Sequence, residues 1–281
     1  MTGTKSLLDL LGRKAAPVGM QCFTGHHTLI EVMGRTGLDY VWLDSEHSAA
    51  NPRALEDTIR TADGVGLISL VRIPEPSDTT AARRALEAGA EALIIPMVRT
   101  AADIQQVLDT ILYPPHGERG ICPAYRAADY SLRSFAEHAA TSDANAYVIP
   151  LIETLDALQN IEEICAIEQV RVLCFAAGEL AFALGEGSAM HSSTKVKDAY
   201  KRVKDAAKRH GVALMGGPIL DPTPESCARA IEDGIRVFCL GLDVMAFRRV
   251  CENTVSALDA AVTGTGLTRP AAPVSGFPDH F

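Results

Sequence analysis

Eight short apolar runs recur along this chain, with stretches of helical periodicity between most of them, and few folds accommodate that alternation. The runs are Gly19–Phe23, Tyr40–Leu43, Ile68–Arg72, Ala92–Val98, Tyr147–Ile152, Val172–Ala176, Ala213–Met215 and Val237–Leu240. The helix-like segments include Asn51–Ala62, Asp78–Ala88, Ala101–Thr110, Thr154–Cys165, Lys195–His210 and Thr223–Asp233, with a short amphipathic helix over 5–13 ahead of the first run. Gly89, Gly211 and Gly234 stand where glycine commonly ends a helix. The runs are mostly β-branched and apolar, as strands of a parallel sheet covered on both faces should be. The expectation is a closed α/β (β/α)8 TIM barrel over residues 1–262, followed by a Pro/Gly-rich tail at 263–281. The length of 281 residues suits it, since such barrels take about 250. An open doubly wound sheet is the competitor, but no Gly-rich dinucleotide fingerprint follows the first run.

Active sites of such barrels lie where the strands end, so polar residues there carry the chemical signal. Trp42-Leu43-Asp44-Ser45-Glu46-His47 and Leu151-Ile152-Glu153-Thr154 both pass from an apolar run into such residues. Glu179 closes the next run after Glu153, 26 residues on. Neighbouring strands lie roughly 5 Å apart, which brings the two carboxylates to one point. Like charges that close call for a shared proton or a hard divalent cation with oxygen ligands. The plainer alternative makes Glu153 an N-cap partner and Glu179 a surface residue. Asp44 stands near His47, and a carboxylate beside an imidazole fixes its tautomer and raises its basicity. For a lone loop histidine, an ordinary hydrogen bond is the commoner role. Arg72 ends the third run and suits an anion or a developing enolate oxygen. Its structural alternative is a buried ion pair with Asp44 or Glu87. Arg119 and Arg126 lie in the irregular segment Tyr113–Tyr130, either to grip the far end of an acidic substrate or to tether the loop by ion pairs. His26 and His27 read as loop residues, and His116, His191 and His210 join no constellation.

Bulk properties narrow the class. Net charge is −9, and the basic residues Lys201, Arg202, Lys204, Lys208 and Arg209 fall at helical spacing as a solvated face, which argues against nucleic acid. The seven cysteines form no CxxC pair, and Cys174 and Cys239 sit in apolar runs as buried thiols. That usage, with no signal-peptide pattern at the N-terminus and no run of the roughly 20 apolar residues a membrane span needs, points to a cytoplasmic protein with no membrane partner.

The ordered set "YVWLDSEHSAANP", "LVRIPEP", "EAGAEALIIPMV", "YPPHGERG", "PLIETLDALQNIEEI" and "AAGELAFALG" resembles the HpcH/HpaI aldolases, over about residues 15 to 255. The resemblance implies a barrel of the phosphoenolpyruvate/pyruvate type with a helix exchanged between subunits, and commonly a hexamer built as a trimer of dimers. It implies a class II aldolase that cleaves a 4-hydroxy-2-oxo acid to pyruvate and an aldehyde through the pyruvate enolate, with Mg²⁺, Mn²⁺ or Co²⁺ as cofactor. By the same resemblance Glu153 and Glu179 are the metal ligands, and His47, Asp44 and Arg72 are catalytic. Arg72, Gly178, Glu179, Arg119 and Arg126 face substrate. Three positions depart from the pattern. Glu179 replaces the usual Asp and adds a methylene, moving its oxygens by about 1.5 Å. Ala176-Ala177 precedes Gly178 in place of Gly-Pro, and Leu151 replaces a Gln. These departures leave open a synthase or citrate-type enzyme that joins carbon to carbon, or a non-catalytic 2-oxo acid-binding relative.

Overall fold

The computed structural model describes residues 6–49, 51–187, 189–190 and 192–270. Eight parallel strands close into a barrel in chain order: β1 Val18–Cys22, β2 Tyr40–Asp44, β3 Ile68–Arg72, β4 Ala92–Ile95, β5 Val148–Ile152, β6 Val172–Phe175, β7 Ala213–Gly216 and β8 Ile235–Leu242. β8 returns to pair with β1, which leaves no sheet edge. The helices are α1 Leu7–Gly12, α2 His27–Arg35, α3 Pro52–Gly64, α4 Thr79–Ala88, α5 Ala101–Ile111, α6 Phe135–Asn145, α7 Leu155–Gln159, α8 Ile161–Cys165, α9 Ala177–Ala183, α10 Thr194–His210, α11 Pro224–Asp233 and α12 Asp243–Val262.

Side chains alternate across each strand, and the alternation splits the core in two. One set, including Tyr40, Trp42, Leu70, Ile94, Ile149, Leu151, Cys174 and Met215, fills the barrel interior. The other, including Val41, Val71, Leu93, Val148 and Leu173, packs outward beneath the helices. Leu7 of α1 is fully buried with the interior set and plugs the barrel at the N-terminal ends of the strands. Glu91 anchors the plug, accepting the Leu7 N–H (2.8 Å) and the Tyr147 hydroxyl (2.7 Å). Burial pushes the Glu91 carboxyl above its usual range, against those hydrogen bonds.

Several differences from the sequence expectations have local causes. β4 ends at Ile95 rather than Val98, because Pro96 has no N–H for the ladder and Met97 takes φ +50°. The helix expected over 154–165 is two short ones, broken at Asn160, whose Nδ2 donates to Arg99 O (3.0 Å). His26 and His27 are not loop residues: His26 caps α2, accepting Thr28 N–H at Nδ1 (3.3 Å), and His27 begins the helix. α6 buries no residue, so it shows no apolar stripe to read. Gly89, Gly211 and Gly234 do end helices, at φ +112°, +70° and +96°. Cys174 and Cys239 are buried thiols in the barrel interior.

α12 leaves β8 with only Asp243 buried. The Asp243 carboxylate accepts the backbone N–H of Phe23 and of Thr24 (both 3.0 Å), which ties the start of α12 to the end of β1. Phe247, Val250 and Leu258 are more than half exposed along the helix. Of the tail expected over 263–281, residues 271–281 lie outside the described residues, as does His191. Among the described residues no helix is long and apolar enough to cross a membrane.

The plug is testable. Leu7→Ala should lower stability by about 2–4 kcal/mol, as a buried leucine truncation does. The check is the urea midpoint, with the slope of the transition unchanged; an unaltered midpoint would mean that α1 does not seal the barrel.

Candidate active site

Alternation puts Gln21, Asp44, Arg72 and Glu153 on the inward side of the barrel, at or just past the C-terminal ends of β1, β2, β3 and β5. Asp44 and Arg72 are partners in the β2–β3 register. Asp44 Oδ2 accepts from Gln21 Nε2 (2.9 Å) and from Arg72 Nη2. Its Oδ1 accepts the backbone N–H of Glu46 (2.9 Å) and of His47 (2.7 Å). Arg72 Nη1 reaches Glu46 Oε2 at 2.8 Å, and the guanidinium lies 5.6 Å from the Trp42 ring centroid. Arg72 is therefore buried, charged and braced on two sides, while its Nε–H has no hydrogen-bond partner among the described residues. A buried donor left unpaired in this way suits an oxygen of a bound molecule.

Across the rim the charge is of the other sign. Glu153 is buried, and its Oε1 accepts the Met97 N–H (2.5 Å). Its Oε2 has no hydrogen-bond partner among the described residues. Burial raises the Glu153 pKa from 4.5 to about 7; the Met97 amide opposes this, and the charges of Glu179 and Glu46 add to it. Glu46 is also raised, first by burial and then by Asp44 and Glu179, with Arg72 and His47 opposing. Glu179 is exposed in the first turn of α9 and faces a cavity of ≈ 480 Å³ together with Glu153, Met97, Arg99 and Asp156.

This donor set fits a hard divalent cation. Two carboxylates front one cavity, one of them buried and holding an uncommitted oxygen, and a bound cation would relieve their repulsion. Among the described residues no group of three or more His, Cys, Asp or Glu side chains is arranged to hold a metal. Magnesium keeps several waters and is commonly held by one or two carboxylates plus substrate oxygens, so two ligands suffice.

The remaining expected residues divide. The His47 side chain is 61% exposed, with Nε2 3.7 Å from Glu46 Oε2. Asp44 binds the His47 backbone, not its ring, so Glu46 rather than Asp44 is the carboxylate beside the imidazole. Glu87 pairs with Arg83 (3.2 Å), which leaves Asp44 and Glu46 as the partners of Arg72. Arg119 and Arg126 do not join the site. Arg119 is 3% exposed, bonded to Ile111 O and Ser142 Oγ (both 3.3 Å) and stacked on Tyr113 at 4.7 Å. Arg126 holds Ala88 O (2.8 Å) and Asp63 at the ends of α4 and α3, which lie at the barrel face opposite the rim. Both are tethers of the long segment, because the chain reaches it from the far end of α5. Gly178 sits in the first turn of α9 beside Glu179, and among the described residues a Cβ there would meet only Met190 Sδ at 3.8 Å. His116 pairs with Asp143 (3.2 Å) and His210 with Glu162 (3.0 Å), both away from the rim.

Sequence reading missed four residues. Gln21 shares the parity of Gly19 in β1, and a polar residue in a buried run was the available signal. Glu46 stands two places past Asp44 in a segment already singled out. Met97 contributes a backbone amide, which no side-chain pattern reports. Arg99 follows the same apolar run.

Residues 19–249 match the family model described as HpcH/HpaI aldolase/citrate lyase. A 5-keto-4-deoxy-D-glucarate aldolase of Klebsiella pneumoniae is 28% identical over 241 residues, covering 85% of this chain and 91% of that protein. The crystal structure of an HpcH/HpaI aldolase from Desulfitobacterium hafniense DCB-2 superposes with a TM-score of 0.83 at 26% identity, covering 90% of this chain and 96% of the other. Macrophomate synthase gives 0.83 at 25% identity, with 93% and 90% covered. A citrate lyase β subunit of M. tuberculosis, complexed with oxaloacetate and magnesium, shares the fold at 0.57 and 19% identity, with 81% and 92% covered.

The buried acid makes a signed prediction. A carboxyl whose pKa rises on folding binds its proton more tightly when folded, so stability is lost as pH rises from 4.5 through about 7. That interval corresponds to roughly 3 kcal/mol at 1.36 kcal/mol per pH unit. Without divalent metal, Glu153→Gln should melt higher than wild type at pH 8 and nearly level with it at pH 4.5. Saturating Mg²⁺ should stabilise wild type and not the variant. A variant less stable than wild type at pH 8 would contradict the assignment.

Proposed function

This chain belongs to the HpcH/HpaI aldolase/citrate lyase family, and we propose that it cleaves a 4-hydroxy-2-oxo acid to pyruvate and an aldehyde, using a divalent cation held by Glu153 and Glu179. One observation carries the reading: a buried carboxyl with a pKa near 7 fronts the same cavity as a second carboxylate, at a rim where Arg72 presents an unpaired N–H. Bound there, Mg²⁺, Mn²⁺ or Co²⁺ supplies Lewis acidity toward the 2-oxo and carboxylate oxygens of the pyruvate half.

The chain's own side chains supply the rest. Arg72, fixed by Asp44 and Glu46 and screened from water by Trp42, donates to the oxygen that gains negative charge as the enolate forms. Its brace means that little reorganisation accompanies that charge. His47 takes the proton of the 4-hydroxyl. The O–H electrons then form the aldehyde carbonyl, the C3–C4 bond breaks, and its pair passes into the enolate. Glu46 steadies the resulting imidazolium, and protonation at C3 completes pyruvate. Gly178, lacking a side chain, leaves the amides of the first turn of α9 open to the pyruvate carboxylate.

The exposed apolar face of α12 supports self-association through that helix, in line with a hexamer built as a trimer of dimers.

Incubation of 4-hydroxy-2-oxo acids with the protein and Mg²⁺ or Mn²⁺ should release pyruvate and aldehyde in equal amounts, read by mass spectrometry, and a chelator should stop the release. Arg72→Lys should lower kcat by about 10²–10³, the loss typical of a donor to a developing oxyanion. It should likewise slow deuterium exchange into the pyruvate methyl group in D2O. Oxo-acid binding retained with no turnover under any of these metals would make the chain a binding protein instead.

A further inference from the structure

The loop after β4 is sewn to the segment after β5 at three successive residues. Met97 N–H donates to Glu153, Val98 O accepts from Thr154 Oγ1 (2.7 Å), and Arg99 O accepts from Asn160 Nδ2 (3.0 Å). The Arg99 N–H is taken in turn by Asp103 Oδ2 (2.8 Å), which also receives the Thr100 N–H (2.8 Å). Arg99 therefore has both of its backbone hydrogen-bonding groups fixed, close to Glu153. Its side chain is in the opposite condition. The residue lines the cavity with Glu153, Asp156 and Glu179, yet among the described residues its guanidinium has no ion pair, hydrogen bond or ring partner. Asp103, the nearest carboxylate in sequence, is occupied by backbone amides.

Among the described residues no other cation of the site is similarly free. Arg72 is committed to Asp44 and Glu46, while Arg119 and Arg126 are tied down at the opposite barrel face. The cavity also carries three carboxylates in a protein of net charge −9, so an anionic substrate meets repulsion unless a cation answers it. A guanidinium on a pinned backbone is a ready partner for a carboxylate, which it can bind in a two-pronged fashion.

We propose that Arg99 is a specificity-determining residue: it takes a carboxylate at the far end of the substrate, on the half that leaves as the aldehyde. This rests on the aldolase reading of the site. Arg72 and the acid pair engage the oxo-acid half, and Arg99 is the uncommitted cation on the same cavity. It forms only an ion pair. In the joining direction, C3 of pyruvate bonds to the aldehyde carbon and the displaced proton ends on the new hydroxyl.

The test runs that direction with pyruvate, Mg²⁺ and two four-carbon aldehydes, 4-oxobutanoate and uncharged butanal, on wild type, Arg99→Gln and Arg99→Lys. Deuterium exchange into the pyruvate methyl group in D2O is the internal control, since it needs no aldehyde. Wild type should favour 4-oxobutanoate. Arg99→Gln should lower kcat/KM for 4-oxobutanoate tenfold or more, mainly through KM, and leave butanal and the exchange rate within about twofold; Arg99→Lys should recover part of the loss. Equal losses on both aldehydes, an unchanged preference in the variant, or a wild type indifferent to the far carboxylate would overturn the assignment. Absence of methyl exchange in wild type would instead strike at the aldolase reading itself.

Discussion

Arg72 holds the rim of this barrel together. Its guanidinium stands between Asp44 and Glu46, beneath it lies Trp42, and beyond Glu46 are Glu153 and Glu179. A buried charge is costly to keep, and breaking one partner from such a pair leaves the other uncompensated. The β2–β3 register meets that requirement by setting Asp44 beside Arg72 before any loop is built. Gln21 from β1 then fixes one Asp44 oxygen, and the turn amides of Glu46 and His47 fix the other. Asp44 is thus a positioning residue for both the arginine and the histidine-bearing turn.

The acids opposite have no such compensation, and that imbalance is the chemical content of the site. Below Glu153, Leu151 shares its parity and packs into the apolar barrel interior next to Cys174. A glutamine there would give the floor of the site a polar group, whereas leucine keeps it dry, in keeping with burial as the chief cause of the raised Glu153 pKa. Met97 holds Glu153 by its amide while itself at φ +50°, a left-handed conformation unusual for a residue with a side chain. Glu179 starts from an exposed helical turn, whereas Glu153 is buried and held by the Met97 amide, so of the two carboxylates Glu179 has the greater freedom to adjust.

The barrel was readable because its signal is repeated. Eight apolar runs and the glycines that end three helices all point to one architecture, and an error of one or two residues at a strand end changes nothing in the topology. Asp44, Arg72 and Glu153 were readable because strand parity and strand end together fix both the face and the height of a side chain. Arg119 and Arg126 were misjudged because sequence does not say at which end of the barrel a loop lies; the segment follows a helix, and loops after helices return to the face opposite the site. The pairing of His47 with Glu46 was hidden for a different reason. Asp44 ends the strand and so draws the eye first, but its carboxylate is taken up by Gln21, Arg72 and the backbone amides of Glu46 and His47, a competition that residue types alone do not express.

Glu153 and Glu179 are proposed to hold one divalent cation between them. Titration of Mn²⁺ into the protein, followed by loss of the free-ion electron paramagnetic resonance signal, tests it without recourse to turnover. Wild type should hold one Mn²⁺ tightly per chain, and both Glu153→Gln and Glu179→Gln should lose that binding while each variant stays folded. Undiminished Mn²⁺ binding in either variant would contradict it.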